Sequence, residues 1–203
     1  IQIMEKGGHP HPMVSLPGLM PFSQDEFYLT YANDTQLDFV PTFYKLAYDE
    51  FESRIRIHSS TNTRGTTNID PVKSQRRGKA TSIITETQMR RGGEGKFKWV
   101  TTLYPTDAYA QDAGMSLKDY EDFVFNAVHA HEDDPIAFWN STAAGQQKAI
   151  DFLAGKNIVT LRGPNVDLSL SIKGRTFMNS TGRYNMPDGE IFTGPIEDSL
   201  NGW

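Results

Sequence analysis

The sequence predicts an α/β protein, with a mostly parallel sheet and flanking helices over residues 1–155, followed from residue 156 by the start of a β-rich second domain. Three observations predict it. Up to about residue 154, short apolar runs of period two alternate with long helical patterns. Those helical stretches carry recognisable caps. After Lys156 no long helical pattern recurs, and short alternating runs are separated by turn residues.

The first strand candidate, Met13 to Leu16, is weakly patterned. Ser23 followed by Glu26 has the spacing of a capping box, which starts a helix over Gln24 to Tyr31. Pro41 suits the first turn of another, running to about Phe51. Arg54 to Ser59 then alternates, with Ile55 and Ile57 on one side. Asp70 as cap and Pro71 at the first turn open a basic helix expected to reach Arg91, where Gly92 and Gly93 stop it and Gly78 weakens its middle. Phe97 to Tyr104 carries Phe97, Trp99, Thr101 and Leu103 in period two and is the third strand.

Ser116 and Asp119 mark a helix start, after which Leu117, Tyr120, Val124, Ala127 and His131 recur every three or four residues. Asp134 and Pro135 cap the next helix, with Ile136, Trp139, Ala143, Ile150 and Leu153 as its apolar face and Gly155 as its end. The two form a helical hairpin on one side of the sheet. Beyond it, Asn157 to Arg162 and Val166 to Ile172 are strands joined at Gly163, Pro164 and Asn165. Lys173-Gly174 turns the chain into Arg175 to Asn179, and Ile191 to Thr193 is a short strand after the turn Pro187, Asp188, Gly189. No closing strand is expected after it.

Composition narrows the function. The longest apolar stretches fall far short of the roughly 20 residues a membrane helix needs. Ile1 to Gly8 lacks a start Met and the order of a secretory signal, so a cut terminus, no export and a cytoplasmic location are expected. With zero cysteines, only His, Asp and Glu remain as metal ligands. A net charge of −5 argues against a nucleic-acid partner, and the clusters Arg76, Arg77, Lys79 and Arg90, Arg91 are expected to be solvated faces or helix ends.

The five histidines form no ligand set by pattern. His9 and His11 lie in a His-Pro-His-Pro run suited to a loop, and His58 ends a strand. His129 and His131, placed on one helix, would point about 200° apart. There is no His-Glu-x-x-His motif, no Gly-x-Ser-x-Gly elbow, and the glycines at 92, 93 and 95 precede a strand rather than follow one. What remains is the run Asn185 to Asp198. Glu190 follows its tight turn and leads into a short apolar strand, so backbone holds it; that rigidity suits a metal ligand. From local chemistry alone, a solvated turn acid is the simpler account.

Several blocks together carry a further signal: Trp99-Val100 to Tyr104-Pro105-Thr106, Ala110-Gln111, Met115-Ser116-Leu117, Tyr120 to Phe123, Asp134-Pro135 with Trp139, Asp167-Leu168, Gly174-Arg175, and Asn185 to Pro195. In order and approximate spacing, from about residue 33 onward, these resemble the family of metal-dependent aminopeptidases that includes aminopeptidase T and aminopeptidase S. The resemblance implies a two-metal enzyme that removes N-terminal amino acids from peptides, using two divalent ions (Co, Zn, Mn or Mg), with Glu190 as one ligand. It implies further that the other ligands, another Glu, two His and an Asp, lie outside this chain, which would be an internal fragment lacking both ends. On that basis no catalytic residue is assignable here, metal is absent or weakly held by the fragment alone, and the parent is a homodimer acting on peptides without nucleic acid or membrane. The rival expectation is a noncatalytic α/β scaffold or interaction module without metal.

Overall fold

The computed structural model describes residues 2–14 and 26–203. The chain forms two compact units, Ile1–Glu52 with Asn62–Phe97, and Ser53–Thr61 with Lys98–Trp203. Residue 155, where the patterning changes, lies within the second.

The first unit is helical: α1 Gln2–Glu5, α2 Glu26–Tyr31, α3 Asp34–Asp38, α4 Thr42–Glu50 and α5 Pro71–Gly93. Of the expected strand at Met13 to Leu16, Met13 and Val14 adopt no strand. Its remainder, and the cap at Ser23, lie outside the described residues. Helix α3 starts at a capping box, in which the Asn33 side chain accepts from the Gln36 amide at 3.0 Å and the Gln36 side chain accepts from the Asn33 amide at 2.8 Å. Pro41 is the N-cap of α4 rather than its first helical residue, because its ψ of 140° is extended. Helix α5 runs unbroken through Gly78 and past Gly92; the left-handed residue that ends it is Gly95, φ +71°. Leu29, Ala32 and Leu37 form a small core, with Tyr28 and Ile69 packed on it.

Lys79 and Arg90 are exposed and the Arg90, Arg91 pair lies in the last turn of α5, as expected, but Arg77 and Arg91 correct the expectation of a solvated face. Arg77 is 0% exposed, and its Nη1 donates to the carbonyls of Leu37 (3.0 Å) and Phe39 (2.6 Å), with the guanidinium 5.3 Å from the Tyr28 ring centroid. Arg91 is also buried and donates from Nη1 to Tyr48 and Phe51 carbonyls, both at 2.6 Å. Fourteen residues separate the two, close to four helical turns, so both lie on one face of α5. From there they satisfy carbonyls left over at the ends of α3 and α4. Arg76, on the next face, grips Asp38 through Nε (2.8 Å) and Nη2 (2.6 Å) and also pairs with Asp34. Those hydrogen bonds, ahead of charge attraction, hold the Asp38 carboxyl below its ordinary value.

The second unit holds the strands. β1 Ser53–His58 and β2 Lys98–Leu103 are parallel, in register from Ser53 opposite Lys98 to His58 opposite Leu103. Their connection carries α5, as a parallel pair requires a crossover. Helices α6 Asp107–Asp112, α7 Leu117–Ala127 and α8 Pro135–Leu153 follow, capped by Thr106, Ser116 and Asp134. Val124 is the buried residue of α7, whereas Ile136, expected on the apolar face of α8, is 74% exposed. Next come β3 Ile158–Gly163, β4 Val166–Ser171, β5 Met178–Ser180, β6 Glu190–Phe192 and β7 Ile196–Gly202, all paired antiparallel. The α/β class stands, with parallel strands first and antiparallel strands after. The strand β7 was not expected, since acids at 197 and 198 break its apolar alternation; its ladder to β4 continues through mutual Asp167–Trp203 backbone bonds of 2.8 and 3.0 Å. No helix among the described residues is long and apolar enough to cross a membrane.

Candidate metal-ligand site

Glu190 opens β6 immediately after the turn, as its sequence context requires. Gly189 carries φ +111°, a conformation open to glycine and strained for other residues, and a Cβ there would lie 3.5 Å from the Trp139 ring. The approach is closed by side chains: Asp188 Oδ2 accepts from the Gly182 amide, and Asn185 Nδ2 donates to the Pro187 carbonyl at 2.8 Å.

Contacts on three sides fix the block from outside. Thr101 donates its amide to Tyr184 O (2.9 Å) and accepts from the Met186 amide (2.8 Å), so Asn185 pairs in parallel with β2, and the Trp99 and Tyr184 rings meet at 4.7 Å. Downstream, Thr193 Oγ1 donates to Thr176 O at 2.8 Å, and Arg175 Nη2 donates to Pro195 O at 3.2 Å. On the third side, β5 pairs with β6, Ser180 opposite Glu190. Helix α8 reaches both strands through Gln146, whose Nε2 lies 2.8 Å from Asn179 Oδ1, 3.0 Å from Ser180 O and 2.9 Å from Glu190 O. Segments remote in sequence, around Trp99, Trp139, Arg175 and Asn185, thus converge on one loop.

The Glu190 backbone is held while its residue stays exposed. A carboxylate so presented offers a hard oxygen donor of the kind divalent cations take. Among the described residues, no group of three or more His, Cys, Asp or Glu is placed to hold a metal. The described residues thus offer one candidate oxygen donor here, Glu190.

His129 and His131 depart from expectation. Helix α7 ends before them, and His129, at φ +55°, turns the chain left-handed, with the Ala130 amide reaching back to Phe125 O at 3.2 Å. The His129 and His131 rings consequently stack with centroids 6.1 Å apart rather than facing opposite ways, and His129 Nδ1 lies 3.3 Å from Glu132 Oε1. Most of the packing on His129 is aromatic, from Phe138 and Trp139. His58 ends β1, where burial, ahead of repulsion from Arg56 and Arg54, pushes its imidazole below the ordinary value. His11 stacks on Phe51.

Gln146 escaped the sequence reading. Its signal was available: it is the polar member of the α8 stripe Trp139, Ala143, Ile150, Leu153, at the spacing where an apolar residue would complete the face.

Residues 15–203 match a family model described as thermophilic metalloprotease (M29). Among solved structures, wild-type AmpT from Thermus thermophilus is similar, with a TM-score of 0.67 and 21% identity over 86% of this chain and 47% of that one. That likeness establishes the fold, and this chain spans about half the length of AmpT. No curated protein matches significantly.

Proposed function

We propose, from the premise that this chain belongs to the thermophilic metalloprotease (M29) family, that it is part of a metallo-aminopeptidase in which Glu190 is one ligand of a two-metal site. The observation that carries this is the exposed Glu190, with its main chain held from β5 and from α8 and the loop that leads into it held from β2. A ligand carboxylate needs such fixed placement. Two bound divalent ions would supply polarisation of the scissile carbonyl and activation of a water. This chain's own part would be to hold the Glu190 carboxylate in a fixed place through the backbone contacts of β6 and of the loop from Asn185 to Gly189.

The remaining ligands and the general base are assigned to family sequence outside this chain, in keeping with its 47% coverage of AmpT. By itself the chain is then inactive and holds metal weakly or not at all. The parent acts on peptides as a cytoplasmic homodimer, with neither nucleic acid nor membrane as partner. In the complete enzyme, Glu190→Gln should abolish release of N-terminal amino acids while leaving the circular-dichroism spectrum unchanged. Undiminished hydrolysis by that variant would remove Glu190 from the metal cage. Titrating cobalt or zinc into this chain alone should give no tight stoichiometric binding; tight binding with turnover would refute its inactivity.

A further inference from the structure

We infer that Gln146 is a positioning residue for Glu190, its side-chain amide locking the β5–β6 pair to α8 so that the Glu190 carboxylate is presented in one place. The inference rests on the proposed role of Glu190 as a metal ligand.

The β5–β6 pair has three residue pairs, Met178 with Phe192, Asn179 with Ile191 and Ser180 with Glu190. Isolated two-stranded pairs of ordinary length are already marginal in water, so this one needs a support outside itself. Gln146 provides it at the end that carries Glu190. One Nε2 amide faces the Ser180 carbonyl on β5, the Glu190 carbonyl on β6 and the Asn179 side-chain oxygen. Its orientation follows from chemistry, because turning the amide over would set Oε1 against three oxygens. Asn179 completes the lock by donating from Nδ2 to Ala143 O at 3.1 Å and to Gln147 Oε1 at 3.3 Å, both on α8.

A merely space-filling residue would look different. Gln146 Oε1 is buried without a hydrogen-bond partner among the described residues, a cost an apolar side chain would avoid. The donor half of the amide must offset that cost, and two of its three acceptors are the main-chain oxygens of Glu190 and of Ser180 opposite it. The nearby Gly189, whose Cβ position lies 3.8 Å from Gln146 Oε1, lets the loop approach the amide closely. Groups that orient a metal ligand commonly change metal affinity by about 10–100-fold when removed.

The test is metal affinity in the complete enzyme, by competition with a chromophoric chelator, for wild type, Gln146→Met and Glu190→Gln. Thermal midpoint and hydrogen exchange of the metal-free protein are measured alongside. Gln146→Met keeps the length and removes the donor. It should bind metal about 10–100-fold more weakly, with faster exchange over residues 186–193 and unchanged exchange over 71–93. Wild-type affinity for Gln146→Met together with lost affinity for Glu190→Gln would overturn the inference and leave the role of Glu190 standing. Wild-type affinity for Glu190→Gln would overturn both. Should Gln146→Met not fold, Gln146→Asn, an amide one methylene too short to reach the strands, carries the same comparison.

Discussion

Replacing Arg77 by methionine probes how the first unit is held together. Two charge-assisted hydrogen bonds, from Nη1 to Leu37 O and Phe39 O, disappear; at about 1.5–3 kcal/mol each the gross loss is about 3–6 kcal/mol. Burying the methionine side chain returns roughly 1.5–3 kcal/mol. Setting low against low and high against high, the net cost is about 1.5–3 kcal/mol, or a fall of about 3–12 °C in the thermal midpoint for a chain of this size. Native-state hydrogen exchange is the appropriate assay, since a chain of two units need not unfold in one step. Peptides covering α3 and α5 should lose protection while those covering β3 and β4 keep it. Arg77→Lys, a compact ammonium without the guanidinium fork, should fall between. Unchanged protection in α3 with a stability shift under about 0.5 kcal/mol would refute the assignment of Arg77 as the cap of that helix.

Because His58 is held below its ordinary value, the unfolded chain takes up a proton first as pH falls. The stability it contributes is present above about pH 6.5 and lost as pH drops from there toward the folded value. Thermal midpoints at pH 7.5 and 5.5 should differ less in His58→Gln than in the wild type; an unaltered difference would count against His58 as a source. Gly189→Ala places a side chain at φ +111° against Trp139 and should destabilise by about 1–3 kcal/mol, measured by urea denaturation with tryptophan fluorescence. A neutral outcome would show that the turn before Glu190 is free to adjust.

Caps and period were readable where local chemistry decides the outcome. Ser116, Asp70 and Asp134 each accept the backbone bond that their position in the sequence implies. The short helix α3 has as clear a box in Asn33 and Gln36, but five residues are too few to show a periodic face. Burial of Arg77 and Arg91 was not readable, because a basic side chain that serves distant carbonyls is written like one that faces water. His129 misled for the opposite reason: nothing in its type announces the left-handed turn that ends α7. At the candidate site, the turn placed Glu190 at the head of a short strand, and only the resemblance of its block singled it out as a ligand candidate. Its support was not readable, since Gln146, Asn179 and Thr101 act through main-chain carbonyls and amides, which sequence does not label.

The parallel bridge between Thr101 and Asn185 ties the Glu190 loop to a strand laid down far earlier in the chain. The loop's shape is therefore a long-range property. Closing so large a span costs chain entropy that only the finished strand can offset, so the loop should order after β2 and its crossover have assembled. Changes along β2 that touch no substrate, at Trp99 for instance, would then surface as errors in where Glu190 comes to rest. In a screen for activity they would be mistaken for substitutions in the site itself.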